Sequence, residues 1–334
     1  MSASVSTNWT HHGLDCIRME NRAMSIDLLP ERGANIFRLV DKATDRDVLW
    51  KSPRVSPRIA TLHADFDDHW AGGLDDAFPG GRASRNRYGD LLPYMGEVWS
   101  KPASARVQDA GPLYATVVTD VMTTVTPARF TRTVSLSGDD PVVSLKYEIE
   151  NIGYLPFDFN FGVHPSLAVA PSWRFDIPAT RGLVDEAGGD LLGVTGRAYD
   201  WPTLDGLDLR LALPPTTGAF GMHYLTGLTG GWWAATDTAS GHGVAMSFDP
   251  SVFPVLWFVI VYGGWRGYYQ AIVEPWTGYP SPLDEAVAAG QARVLQPGET
   301  FETEVSLVLY DRMAEVTGVT ANGVTGLSIS RART

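Results

Sequence analysis

The sequence has little cysteine, little charge and no long apolar run. Cys16 is the single cysteine among 334 residues, which excludes an internal disulfide and a zinc site built from cysteines. Charged residues make up 19% of the chain, and no apolar stretch reaches the roughly 18 residues that a membrane span requires. Residues 1–12 also lack the basic-then-apolar order of a signal peptide, so we expect a cytoplasmic location.

Positive charge is the scarcer sign. The chain has 26 Lys and Arg against 38 Asp and Glu, a formal net charge of −12. Such a chain repels phosphate backbones and anionic lipid on average, so we expect neither a nucleic-acid nor a membrane partner. Hydrophobic residues make up 44%, with 11 Trp, 13 Phe and 12 Tyr, which is enough to build a large core and to line a cleft with rings.

Long helical patterns are also scarce, because 34 Gly and 22 Pro interrupt the chain. Apolar and polar residues alternate over 143–149 and over 301–309, which is typical of antiparallel strands with one wet face. The best helical segment is 283–291. No repeat or linker marks a boundary. The sequence therefore predicts one mainly β domain over 1–334, a large antiparallel β-sandwich, with its core at about 20–312 and a loose tail or edge strand at 313–334.

Two distant segments place proton-transferring side chains on apolar strands. In 157–165 the alternate positions are aromatic or aliphatic, so the opposite face is predicted to carry Asp158, Asn160 and His164. In 271–280 an apolar strand reaches Glu274 just before Pro275 ends the ladder. A histidine and a carboxylate on rigid strands suit paired acid/base chemistry.

Four segments together resemble the aldose 1-epimerase (galactose mutarotase-like) superfamily, over roughly residues 20 to 310. The segment 24–50 resembles its opening hairpin, and Gly96-Glu-Val-Trp99 resembles a stretch that lines its sugar site. The segment 151–164 resembles the part that carries the catalytic histidine. The segment 273–300 resembles the part that carries the catalytic glutamate and the Leu-x-Pro-Gly-Glu turn after it.

The resemblance implies a galactose mutarotase-like supersandwich and a mutarotase that interconverts the α and β anomers of a monosaccharide. Glu274 is then the general base on O1 and His164 the general acid on O5, with the roles reversed on ring closure. Burial is expected to raise the pKa of Glu274, while histidine titrates near neutral pH, so we expect neither metal nor cofactor. The candidate substrate-binding residues are Trp70, Asp75, Asp76, Arg82, Glu97, Trp99, Asn160 and Trp276.

Some alternatives stay open at this point. Met95 stands where many relatives have a histidine, so a sugar-binding or regulatory protein without turnover is one rival. The second rival is a different carbohydrate enzyme: another isomerase, an epimerase at another carbon, or a lyase. It stays open because a fold does not determine the reaction. Arg82, Arg85 and Arg87 form either a solvated loop or a contact to an anionic sugar. The sequence does not name the sugar.

Overall fold

Strands dominate the computed structural model, which describes residues 3–329. The first half of the chain forms β1 Ser4–His11, β2 Leu14–Glu20, β3 Met24–Leu29, β4 Asn35–Asp41, β5 Arg46–Asp47, β6 Leu74–Ala77, β7 Ser84–Arg85, β8 Leu91–Leu92, β9 Ser104–Ala110, β10 Tyr114–Met122, β11 Ala128–Ser137, β12 Val142–Asn151, β13 Phe157–Phe159 and β14 Gly162–Leu167. The second half forms β15 Trp173–Asp176, β16 Arg181–Ala187, β17 Ala198–Asp200, β18 Thr203–Leu204, β19 Leu207–Asp208, β20 Ala219–Thr226, β21 Trp232–Asp237, β22 Gly243–Phe248, β23 Val255–Tyr262, β24 Tyr269–Trp276, β25 Arg293–Leu295, β26 Thr300–Tyr310, β27 Met313–Thr320 and β28 Gly323–Ser328. The α-helices are α1 Phe66–His69 and α2 Leu283–Ala288.

The chain divides into two compact units, each made of separate segments. Unit 1 holds the described residues up to Asp140, then Ser144–Ser166 and Glu274–Glu304. Unit 2 holds Pro141–Val143, Leu167–Val273 and the described residues from Val305 onward. The single-domain organisation of 1–334 stays a prediction.

Unit 1 contains a core between two strand layers. One layer has the order β1-β2-β3-β4-β6-β14, followed by the end of β24, and the other has the order β12-β11-β10-β9. Phe161, which precedes β14, packs at 5.6 Å from Phe130 on β11 and at 4.8 Å from Tyr147 on β12, measured between ring centroids. Aromatic rings at these separations form favourable edge-to-face contacts, so they help to fix the two layers against each other.

Unit 2 has its own strand layers. β23, β20, β16 and β17 lie side by side in that order, and β15, β21 and β22 form a second row. Phe258 on β23 packs at 5.1 Å from Phe175 on β15. The hairpin of β27 and β28 covers part of this unit, where Val316 and Val319 join a buried cluster with Ala234 and Ala245.

The mainly antiparallel β class is confirmed, and so are the two strands with period-two patterns. β12 alternates buried and half-buried residues along its length, as the sequence predicts. β26 alternates only in its first half, because its second half is buried on both faces. The segment 313–334 is not a loose tail as far as residue 329, since it forms the β27–β28 hairpin; residues 330–334 lie outside the described chain.

The predicted helix over 283–291 is shorter, ending at Ala288. Gly290 adopts the left-handed conformation with φ of 68°, and the N–H of Gln291 then bonds back to the carbonyl of Ala286. A glycine in this position is a common helix stop, because it satisfies carbonyls that the helix leaves open. Over residues 3–329, none of the helices has the length and apolar character needed to cross a membrane.

The predicted single strand over 157–164 is wrong in one respect. The segment is two strands: β13 pairs with β25, whereas β14 pairs with β6, and the break falls at Asn160 and Phe161. Because the break resets the alternation, Asp158 and His164 do not share one strand face. All residues from 157 to 167 are buried, so neither face is wet.

Candidate active site

His164 and Glu274 lie side by side in unit 1. The Nε2 atom of His164 is 3.8 Å from Oε1 of Glu274, and the two residues are 5% and 2% exposed. This separation is too long for a direct hydrogen bond. A titratable nitrogen and a titratable oxygen therefore face each other from β14 and β24 in a buried place, which the sequence pattern alone did not establish.

Trp276 fixes the Glu274 carboxylate from the same strand. Its indole Nε1 donates to Oε2 of Glu274 at 2.8 Å, which leaves Oε1 toward His164. The indole lies directly over Gly162 on β14, where a Cβ atom would overlap the ring. Glycine at this position is thus what lets the ring come close enough to hold the carboxylate.

Burial shifts the pKa values of Glu274 and His164 in opposite directions. Burial raises the pKa of Glu274 to about 8, although the hydrogen bond from Trp276 acts against it. Burial lowers the pKa of His164 to about 4, although the charge of Asp75 acts against it. The raised pKa of Glu274 agrees with the sequence-based expectation, but His164 does not titrate near neutral pH. Between pH 4 and 8 the ligand-free pair therefore carries one proton, on Glu274.

A wall of aromatic rings surrounds His164. The short helix α1 begins after Asp65, whose carboxylate accepts from the N–H of Asp68, and it presents Phe66. The ring of Phe66 lies 5.9 Å from the imidazole, edge to face, and Trp70 lies 5.5 Å from it. Phe66 also packs at 5.1 Å from Trp99. Trp70 and Trp99, both predicted site residues, are thus brought to the histidine, one directly and one through Phe66.

Asp75 lies opposite His164 on β6, one of the two strands that flank β14. The two residues are register partners in the antiparallel pair of β14 with β6, so their side chains leave the same face of the sheet. Oδ1 of Asp75 accepts from Nη1 of Arg32 at 2.8 Å and from Nδ2 of Asn35 at 2.7 Å. All three side chains are buried. The negative charge beside His164 is therefore held in place by two donors.

Asp76 points the other way. Because successive residues of a strand alternate in direction, it leaves the face opposite to Asp75. Its Oδ2 pairs with Nη1 of Arg132 at 2.6 Å, and its Oδ1 accepts from the hydroxyl of Tyr147 at 2.9 Å. Arg132 and Tyr147 belong to the second layer of unit 1, so the carboxylate lies in the core between the layers. A sugar contact by Asp76 has no support in this placement.

Glu97 is fully buried, and its carboxylate is used by the backbone. It accepts from the N–H groups of three consecutive residues, Thr124, Val125 and Thr126, at 2.7 to 2.9 Å. A carboxylate with three such donors serves to close the loop after β10. Two residues of the motif Gly96-Glu-Val-Trp99 therefore have different roles. Glu97 holds a loop, whereas Trp99 packs against Phe66 in the aromatic wall.

The other predicted residues have contacts of their own. The amide of Asn160 lies against Oγ1 of Thr277 at 3.3 Å, and the backbone N–H of Arg82 donates to the carbonyl of Ser281. In the arginine cluster, Arg87 forms a two-pronged ion pair with Asp158. These contacts anchor loops, and they do not by themselves bring Asn160 or Arg82 to the pair.

Sequence reasoning missed Phe66, Arg32 and Asn35. Phe66 opens the short helix α1, Arg32 lies in the turn after β3, and Asn35 begins β4. None of them stands in a motif that marks it as a site residue. The one available signal was Arg32 itself, because a lone arginine between apolar strands needs a buried partner. Among residues 3–329, no group of three or more His, Cys, Asp or Glu side chains is placed to hold a metal ion.

Comparison with known proteins finds similarity in structure alone. No protein-family model matches the sequence, and no curated protein matches it. Three solved structures illustrate the match. The Slr1438 protein of Synechocystis sp. PCC 6803 is 17% identical with a TM-score of 0.69, covering 92% of this chain and 99% of that one. A galactose mutarotase-like protein from Clostridium acetobutylicum is 14% identical with a TM-score of 0.68, covering 93% and 99%. One from Lactobacillus casei is 17% identical with a TM-score of 0.64, covering 88% and 100%. At such identities the likeness shows the fold, which is galactose mutarotase-like.

Proposed function

We propose that this protein, which has the galactose mutarotase-like fold, is an aldose 1-epimerase whose proton-transferring residues are His164 and Glu274. The observation that carries the proposal is their arrangement: Nε2 and Oε1 face each other at 3.8 Å in a buried, aromatic-walled place. The likeness of solved galactose mutarotase-like proteins supports the substrate class, a monosaccharide. Two facing acid/base groups are what a reaction with two proton transfers requires, and this supports the proposed reaction class.

Anomer exchange needs two proton transfers at oxygens that share one carbon. A base removes the proton from the C1 hydroxyl while an acid protonates the ring oxygen, so that the C1–O5 bond breaks and an open-chain aldehyde forms. After rotation about the C1–C2 bond, the transfers reverse and the ring closes as the other anomer. The pair needs one proton in total, returns it in each cycle, and forms no covalent intermediate.

In the assigned direction, Glu274 takes the O1 proton and His164 gives a proton to O5. Opening therefore starts from a carboxylate and an imidazolium. The ligand-free pair stores its proton on Glu274 instead, because burial raises the pKa of Glu274 to about 8 and lowers that of His164 to about 4. Binding of the sugar must then move the proton from the carboxyl to the imidazole. Hydroxyl groups that donate to the carboxylate favour this move, because they stabilise its charged form.

Trp70 and Trp99 supply the apolar surface against which a sugar ring would stack in this proposal. Trp276 has a different role, since its indole N–H fixes the carboxylate that takes the proton. Nothing in the contacts of Glu97 or Asp76 leaves an oxygen for the substrate, so the proposal does not use them.

The test is exchange NMR between α and β anomers for neutral, phosphorylated and acidic sugars. We expect the wild type to accelerate the exchange of at least one sugar, and both His164→Ala and Glu274→Gln to lose about 10²-fold or more of that acceleration. Binding without acceleration by the wild type would instead favour the non-turnover rival. An ultraviolet-absorbing unsaturated product from an oligosaccharide would favour a lyase.

A further inference from the structure

Two buried polar atoms on a pair of neighbouring strands have no hydrogen-bond partner among the described residues. Nδ1 of His164 and Oδ2 of Asp75 are both buried, and neither is hydrogen-bonded within residues 3–329. The residues are direct register partners on one face of the β14–β6 pair. Side chains at such positions have Cβ atoms about 5 Å apart. The two atoms are not within direct hydrogen-bond distance of each other, so the contact open to them is one made through an ordered water. Orphaned buried donors and acceptors are costly, so adjacent ones are expected to satisfy each other.

We propose that Asp75 is a positioning residue for His164. Its Oδ2 accepts a hydrogen bond from the Nδ1–H group through one ordered water, so that Nε2 is the nitrogen that exchanges protons with the substrate. This inference rests on the proposed function of the pair. Asp75 does not touch the reacting atoms. It fixes which nitrogen of the ring carries the resting proton, and it stabilises the imidazolium that one half of the cycle requires.

The surroundings of Asp75 make it suited to this task. Its other oxygen is held by Arg32 and Asn35, and Gly73 leaves room for the Asn35 side chain, which a Cβ atom at that position would meet. The carboxylate is therefore fixed before any sugar binds, which is what orientation by an outer residue requires. A substrate-binding role would instead need Oδ2 to turn toward the sugar and leave Nδ1 without a partner.

The charges that face His164 come from three elements. Asp75 on β6 raises the pKa of the imidazole, whereas Arg32 in the turn after β3 lowers it more weakly, and Glu274 on β24 is neutral in the resting pair. Helix α1 contributes the apolar ring of Phe66 to the contact. Asp75 is thus the one acidic group of this set that is not itself part of the proton exchange.

The first experiment is a long-range ¹H–¹⁵N NMR spectrum of the wild-type imidazoles, with His164→Asn used to assign the signal of His164. We expect a neutral ring with the proton on Nδ1. A ring with its proton on Nε2 would overturn the proposal. This measurement needs no substitution at Asp75 and no substrate, so it stands even where the variant below does not fold.

The second experiment compares Asp75→Asn with the matched control Asp76→Asn. Asp75 and Asp76 are neighbours on β6, and each is a buried carboxylate paired with an arginine, so each variant removes one buried charge. Only Asp75 lies on the same face of the sheet as His164. We expect the titration midpoint of His164 to fall by about one unit in Asp75→Asn and to stay unchanged in Asp76→Asn. Equal shifts in the two variants would overturn the proposal. If no sugar is accelerated but these NMR results hold, the mutarotase assignment fails while the His164–Asp75 contact stands.

Discussion

At the scale of single residues, a substitution of Glu97 tests whether this residue has a structural role or a substrate-binding role. Its carboxylate accepts from three consecutive backbone N–H groups. In Glu97→Gln one of the two acceptor oxygens becomes an NH₂ group that faces N–H donors. Hydrogen bonds to charged groups are worth about 1.5–3 kcal/mol each. We therefore expect the free energy of unfolding, measured by urea denaturation, to fall by about 2–4 kcal/mol.

Glu299→Gln is the matched control, because the exposed carboxylate of Glu299 accepts from a single N–H group, that of Gln296. Its loss should stay within about 0.5 kcal/mol. A contrary result would be a Glu97→Gln protein of unchanged stability whose KM for a sugar rises, since that combination is the signature of a substrate contact.

The sequence was sufficient to select His164 and Glu274 as candidate site residues, because each is a polar side chain within an apolar strand. Their 3.8 Å separation was not, since it depends on β14 and β24 becoming neighbours across more than 100 residues of chain. The same holds for Arg32, whose partner Asp75 is 43 residues away. Local patterns report which face a residue takes, but they do not report which distant side chain it meets.

At the scale of elements, the approach of β14 to the end of β24 depends on one glycine. In Gly162→Ala the new methyl group would overlap the Trp276 ring, so the indole has to move away from Glu274. Overpacking of this kind costs about 1–3 kcal/mol. We expect that loss in urea denaturation, together with a fall in kcat for the accelerated sugar because the carboxylate loses its hydrogen bond.

Gly111→Ala is a suitable control, because the atom nearest to its new Cβ belongs to the flexible side chain of Asp109. Its stability and kcat should match the wild type. A Gly162→Ala protein with wild-type kcat would show that the indole contact with Glu274 contributes nothing to turnover, and that the close approach serves packing alone.

The elements themselves were predicted well where one face is wet. β12 alternates as the sequence indicates, since each half-buried residue is followed by a buried one. The segment 157–164 was read as one strand because its aromatic residues keep the same period through the break at Asn160. When both faces are buried, polar residues such as Asp158 no longer mark solvent, so period alone cannot locate an interruption.

At the scale of the whole molecule, the pair couples its protonation to the stability of the fold. His164 has a folded pKa of about 4 against 6.5 for the free side chain, so its contribution to stability is present above pH 6.5 and is lost as pH falls toward 4. Glu274 has a folded pKa of about 8 against 4.5, so its contribution is present below pH 4.5 and is lost as pH rises through 8. Between pH 4.5 and 6.5 the two slopes oppose each other.

This cancellation gives the last prediction. In Glu274→Gln only the His164 equilibrium remains, so the free energy of unfolding should rise by up to about 3 kcal/mol from pH 4 to 6.5 relative to a variant that also lacks the imidazole, Glu274→Gln with His164→Asn. In His164→Asn only the Glu274 equilibrium remains, and relative to the same double variant stability should fall from pH 4.5 to 8. Urea denaturation of the four proteins across this range measures both slopes, and other titrating groups cancel in the differences. Parallel pH profiles for all four would mean that neither group is desolvated as the geometry requires. The pKa values of His164 and Glu274 would then not be shifted in opposite directions, and the proposed proton transfers would lose that support.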